Sequence, residues 1–136
     1  MNLRGKSLVY GEEVARWVWS RIGTPAREYA AIGLKGAELV AGVVYTRYSP
    51  GASIELTIAS DGTTWAVPDY FRAVFAYPFR QLDCQRATAV VAAKNIKSRN
   101  LCERLGFVQE GYLRHGFKDD DAVIYGMYRS TCRWTQ

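Results

Sequence analysis

Apolar residues return along this chain at two spacings. Val14, Trp17, Val18 and Ile22 recur every three or four positions, the spacing of one helix face, and Gly23-Thr24-Pro25 ends the run. A first helix is predicted from about Gly11 to Ile22. Two strands are predicted next, near Glu28–Leu34 and Ala37–Thr46, with Lys35-Gly36 as the hairpin turn. In "SIELTIAS" the alternation is clean: Ile54, Leu56 and Ile58 face one way, Glu55, Thr57 and Ala59 the other. Helical spacing resumes at Pro68, a residue suited to a first turn, with Phe71, Val74, Phe75, Phe79 and Leu82 as the apolar stripe. Pro78 has no amide to offer Val74, which predicts a kink or an early end there. "RATAVVA" reads as a buried strand. A third helix runs from a capping Asn95 to a left-handed stop at Gly106. Two closing strands, about Phe107–Arg114 and Ala122–Arg129, flank the acidic turn "KDDD".

The predicted order is helix, three strands, helix, strand, helix, two strands. A helix joining the third strand to the fourth requires a parallel pair inside a mostly antiparallel sheet. The fold class is therefore mixed α/β. With 136 residues, 49% of them hydrophobic, and no internal repeat or boundary, a single domain over 1–136 is expected.

Charge and cysteines narrow the function classes. A net charge of +5 permits an anionic ligand and counts mildly against strongly basic partners. No arginine-rich tail or nucleic-acid signature accompanies it, so nucleic acid is not the expected partner. Cys84, Cys102 and Cys132, with His115 as the single histidine, lack metal-ligand spacing, so no metal is expected. Reduced thiols, the absence of a signal-peptide pattern and the short apolar runs predict a cytoplasmic protein away from membranes.

The stretch "KNIKSRNLCERLGFVQEGYLR", Lys94 to Arg114, is similar to the penultimate helix and following strand of the GNAT superfamily of acyl-CoA-dependent N-acetyltransferases. Asn95, Ser98, Leu101, Leu105, Gly106 and Phe107 carry the match. "LGFVQEGYLR" and "AVIYGMYRS" extend it toward the branch that acetylates protein N-termini, and small stand-alone relatives point to a phage protein. The order of elements agrees over nearly the whole chain. The resemblance implies a GNAT-like fold with one splayed parallel pair and flanking helices, and acetyl-CoA as co-substrate. It places Leu56, Ile58, Ala59 and Ser60 along the pantetheine arm and gives Asn95 a hydrogen bond to it. The amides of Gly62, Trp65, Ala66 and Val67 would face the pyrophosphate, as helix-start amides can. In the family that loop reads Arg/Gln-x-x-Gly-x-Gly/Ala. Here "SDGTTWAVPDYF" keeps Gly62 alone as a flexible point and adds the charges of Asp61 and Asp69. Arg99, Lys94 and Lys97 would supply positive charge for the phosphates.

Acetyl transfer to an amine needs a base for the ammonium proton, a donor for the thioester oxygen and a proton for the departing thiolate. Many family members carry a tyrosine donor at the position of Cys102. Cys102 either gives that proton or packs with Leu101 and Leu105. Ser98, one turn earlier, is the rival donor, or simply closes the helix start. Glu55 is the leading candidate base against a plain solvated strand carboxylate, with Glu110 and Tyr125 as further options and His115 as a strand-end residue. Relatives commonly have two helices where this chain shows one, which implies an open groove and favours a protein or peptide amine as acceptor. The alternative is a catalytically weak or inactive GNAT-fold module acting through protein contacts. Trp19, Trp134 and Tyr48 offer surface for a homodimer.

Overall fold

From Ser7 onward the chain lays down β1 (Ser7–Tyr10), α1 (Glu12–Trp19), β2 (Ala30–Lys35), β3 (Leu39–Ser49), β4 (Ser53–Ser60), α2 (Pro68–Ala76), β5 (Arg86–Ala92), α3 (Ile96–Leu105), β6 (Val108–Leu113) and β7 (Ala122–Tyr128). This computed structural model describes residues 1–136. The strands form one sheet in the order β1-β2-β3-β4-β5-β7-β6. Every neighbouring pair is antiparallel except β4–β5, which is parallel. The mixed α/β fold and its single parallel pair are as the pattern predicts. β1 is a correction. Four residues are too few to show a period, and this edge strand exists through its rungs to β2, from Ser7↔Lys35 to Tyr10↔Ile32.

The two faces of the sheet are covered unequally. On one face α1 lies over β2 and β3, packing Val14, Ala15 and Val18 onto Ala31, Leu39 and Val44. It sits close because Gly33 and Gly42, partners across β2 and β3, have no side chains; a Cβ on either would press into Val14 or Val18. α1 ends at Trp19, sooner than predicted, although the Ile22 amide still reaches the Val18 carbonyl at 2.9 Å. On the other face α2 and α3 close the main core, where Phe75, Phe79, Leu101, Cys102 and Leu105 meet Ala87, Ala89 and Tyr125. Burying these side chains is the dominant favourable term, at roughly 25 cal/mol per Å² of apolar surface.

Pro78 acts as its chemistry requires. α2 stops at Ala76 and a wider π-type turn carries the chain through Tyr77–Gln81. The Val74 carbonyl, deprived of a partner by the proline, accepts from the buried Tyr45 hydroxyl at 2.5 Å. Trp134 is another correction. It is no free surface, because its ring packs against Phe71 at 5.3 Å and its Nε1 donates to the Leu105 carbonyl at 2.9 Å. Trp19 is half-buried against Tyr29, and Tyr48 remains exposed.

Candidate functional site

β4 and β5 part company along their length. Their ladder runs from Ser53↔Arg86 to Leu56↔Ala89 and stops. Beyond that rung each strand stays with its outer partner: Thr57–Ser60 continue along β3, and Val90–Ala92 continue along β7. The result is a wedge. At its apex lies a hollow of about 20 Å³, lined by Leu56, Ile58, Ala89, Val91, Ser98 and Cys102 among others. The wedge opens into a cleft of about 460 Å³ between the end of β4, the loop after it, and α3.

The walls of the cleft follow from local structure. Lys97 Nζ donates to the Ser60 carbonyl at 3.1 Å, which shows that this carbonyl points into the gap. By strand alternation the N–H and C=O of Ile58 lie on the same edge, outside the β4–β5 ladder. α3 starts where Asn95 Oδ1 accepts from the Ser98 amide at 3.1 Å, leaving the Asn95 side-chain nitrogen available to donate. Lys97, Asn100, Leu101 and Arg104 then fall on one helix face, toward the cleft. Neither Lys97 nor Arg104 makes an ion pair, so both keep their charge for a ligand. Across the mouth Arg21 grips Asp61 through two hydrogen bonds, 3.0 and 2.7 Å, and lies 3.7 Å over the Trp17 ring. The hydrogen bonds to Arg21 hold the Asp61 carboxyl below its ordinary range. Asp61 therefore reaches the mouth already neutralised by its partner.

After β4 the amides of Gly62, Thr63, Thr64, Trp65 and Ala66 have no partner within the chain. Trp65 lines the cleft and turns its Nε1 back to the Gly62 carbonyl at 2.8 Å. Asp69 is drawn away by the Asn2 amide and by Arg72, and these two hydrogen bonds lower its pKa.

Of the sequence-predicted residues, Ile58, Ala59, Ser60, Gly62, Trp65, Asn95 and Ser98 line the cleft, while Leu56, Ser98 and Cys102 line the apex hollow. Ser98 touches both. The expectations for Val67, Arg99 and Lys94 need correction. Val67 is buried in the main core, and its amide is spent on the Trp65 carbonyl at 2.8 Å. Ala66 lies off the cleft wall, yet the amide expected of it is free, and its carbonyl accepts from Arg4 at 3.3 Å. Arg99 leaves α3 on the opposite flank, donating to Tyr125 Oη and to the Ala93 carbonyl, each at 3.2 Å. Tyr125 is thereby tied up on the core face, and its hydroxyl also meets Glu103. Lys94 lies outside the cleft wall, and its amide is fixed by Asp120. His115 sits in the β6–β7 turn, where its amide donates to Asp121 at 2.8 Å. Burial pushes the Cys102 thiol up to about 12, with the Glu103 charge adding to it. Glu55 projects from β4 onto the α1 face and pairs with Arg47 at 3.2 Å.

Arg21, Ile22, Asn100 and Arg104 also line the cleft, and the pattern reading missed them. A signal existed for two: Asn100 and Arg104 follow Lys97 by three and seven positions. None existed for Arg21, which arrives through the tertiary placement of α1. No group of three His, Cys, Asp or Glu side chains is placed to hold a metal ion.

No protein-family model and no curated sequence matches this chain. Solved structures do. An acetyltransferase of the GNAT family from Bacillus anthracis aligns at TM-score 0.62 and 17% identity, over 74% of this chain and 66% of that one. A spermidine N-acetyltransferase variant from Vibrio cholerae aligns at TM-score 0.75 and 16% identity, over 93% of this chain and 97% of that one. A dodecameric structure of the Vibrio enzyme gives 0.72 and 18%, over 93% and 95%. The fold of this chain is thus one that it shares with these acetyltransferase structures.

Proposed function

We propose that this chain is an N-acetyltransferase that takes acetyl-CoA and acetylates a primary amine carried by a protein or peptide. The observation that carries the proposal is the β4–β5 wedge, which stops pairing at Leu56↔Ala89 and opens into a cleft with free backbone groups on one side and unpaired cations on the other. The acetyltransferase structures with the same fold support it. In this scheme Ile58 and Ser60 bond the pantetheine arm as an added strand would, and Asn95 donates its side-chain nitrogen to it. The amides of Gly62–Ala66, with Lys97 and Arg104, face the phosphates. Acetyl-CoA supplies an acyl thioester. The amine nitrogen attacks its carbonyl carbon, the C–S bond breaks with its electron pair on sulfur, and the ammonium proton leaves through Glu55 or water. In the same scheme Ser98 returns a proton to the thiolate.

The short wall over the acceptor side favours a bulky acceptor, such as the N-terminus of a protein, over the small amine named for the Vibrio enzymes. A second reading has its own support. The loop after β4 lacks the family pattern, and the Val67 amide is already engaged, which suits a module that binds proteins without turnover. Isothermal calorimetry with acetyl-CoA separates the two. Micromolar binding, followed by a 42 Da mass increase on an acceptor peptide, is the expected result for the enzyme; no heat at millimolar ligand would leave the module.

A further inference from the structure

Two β-bulges deliver charge to the part of the sheet that no helix covers. α1 occupies β2, β3 and the near side of β4, so the same face of β5, β7 and β6 is left open. Across it runs one row of partners, Thr46↔Glu55↔Thr88↔Gly126↔Val108. At one end β3 loses register after Thr46, and Arg47 within that break adopts φ +53°, a left-handed conformation uncommon for a residue with a side chain. Its Nε meets Glu55 Oε2 at 3.2 Å. At the other end β6 loses register between Gln109 and Gly111, which makes Glu110 the extra residue. Its carboxylate folds back over Gly126, where a Cβ would overlap it, and meets Arg86 NH2 at 2.5 Å. The Tyr128 hydroxyl donates to its second oxygen, and Arg86 Nε donates to Thr88 Oγ1 at 2.8 Å. Glu55 lies one residue before the last β4–β5 rung, so this row begins beside the wedge apex. At a strand spacing of about 4.8 Å, Glu55 and Gly126 stand about 10 Å apart.

We infer that this open face is the acceptor subsite of the transfer proposed above, and that it takes an amine carried by an acidic peptide. The inference rests on that proposed activity. Each carboxylate of the row already has an arginine: Glu55 has Arg47, and Glu110 has Arg86. A polyamine brings several ammonium groups and finds Glu55 and Glu110 already paired, while both arginines repel it. An acidic peptide can exchange partners instead. Its ammonium takes Glu55, beside the apex where the thioester must lie, and its own side-chain carboxylate takes Arg47, which is 82% exposed and engaged only through Nε. Arg86, Tyr128 and the space over Gly126 hold Glu110 in one position, so it marks the far limit of the acceptor chain. The +5 charge of the molecule acts in the same direction on encounter.

The test follows free-thiol release from acetyl-CoA with the full chain and three acceptors: a ten-residue peptide with acidic second and third residues, the same peptide with lysines there, and spermidine. The acidic peptide is expected to have the highest kcat/KM, by at least 10-fold. Arg47→Glu should lower it by 10-fold or more, mainly through KM, and raise the lysine peptide, with acetyl-CoA affinity unchanged by calorimetry. Arg47→Gln should lower the acidic peptide alone and guards against a folding defect. Preference for spermidine or the lysine peptide, or a ratio unmoved by both variants, overturns the inference while leaving the acetyltransferase intact. Absence of acetyl-CoA binding overturns both together.

Discussion

Burial decides what Cys102 does. Its side chain is 3% exposed, between Leu101 and Leu105 on the core face of α3, and its thiol is pushed up to about 12. A thiol held that firmly is a poor donor to a departing thiolate, whose conjugate acid titrates several units lower. Its contacts are those of a core residue, and Ser98, one turn away, borders both the cleft and the apex hollow. Cys102→Ala should leave kcat within about 3-fold and reduce stability by about 1 kcal/mol in denaturant titration. Ser98→Ala should lower kcat about 100-fold with little change in the KM for acetyl-CoA; an unchanged kcat would assign the proton to solvent. The raised thiol also sets a pH window. The folded state keeps a proton that the unfolded chain loses near ~8.5, so this contribution is complete below that pH and declines as pH rises toward about 12. Loss of that alkaline slope in Cys102→Ala, seen as Tm against pH, is the check.

Among the elements, α3 does two jobs on different faces. Leu101, Cys102 and Leu105 anchor it in the main core, while Lys97, Asn100 and Arg104 line the cleft. Apolar spacing made the first face legible in the sequence. The second needed the wedge, because a basic stripe on a helix is ordinarily a solvated one. Arg99 shows the limit: it looks as available as Lys97 in the sequence, but lies two positions further along a helix, which turns it about 200° away to Tyr125. Lys97→Ala and Arg104→Ala should each weaken acetyl-CoA binding roughly 10-fold, about 1.4 kcal/mol, and the loss should shrink as salt rises. Arg99→Ala should leave that affinity within 2-fold. Asn95→Ala removes the cap and should cost about 1 kcal/mol in stability besides weakening the ligand, a pair of effects that calorimetry and thermal unfolding separate.

At the scale of the whole molecule, the two halves of the sheet are joined through four rungs between β4 and β5. A ligand lying in the wedge would bridge them and bind only the folded state. At 100 times its Kd, acetyl-CoA should stabilise the chain by about 2.7 kcal/mol, a rise of roughly 10 °C in Tm for a domain of this size. Dephosphorylated pantetheine should give a much smaller shift, since Lys97, Arg104 and the Gly62–Ala66 amides would lack their partners. By itself the amino-acid sequence determined the order of elements from α1 onward, the parallel pair, the faces of the core and the ends of α3. Those depend on side-chain period, caps and breakers, which act over a few residues. It could not show β1, whose four residues form a strand only beside β2. Nor could it show Arg21 reaching Asp61, the partner of Glu110, or the turning away of Arg99 and Val67. Only the tertiary structure decided these, because each depends on which distant backbone stands within a few ångströms, and that distance is set by twist, bulge and packing rather than by local pattern.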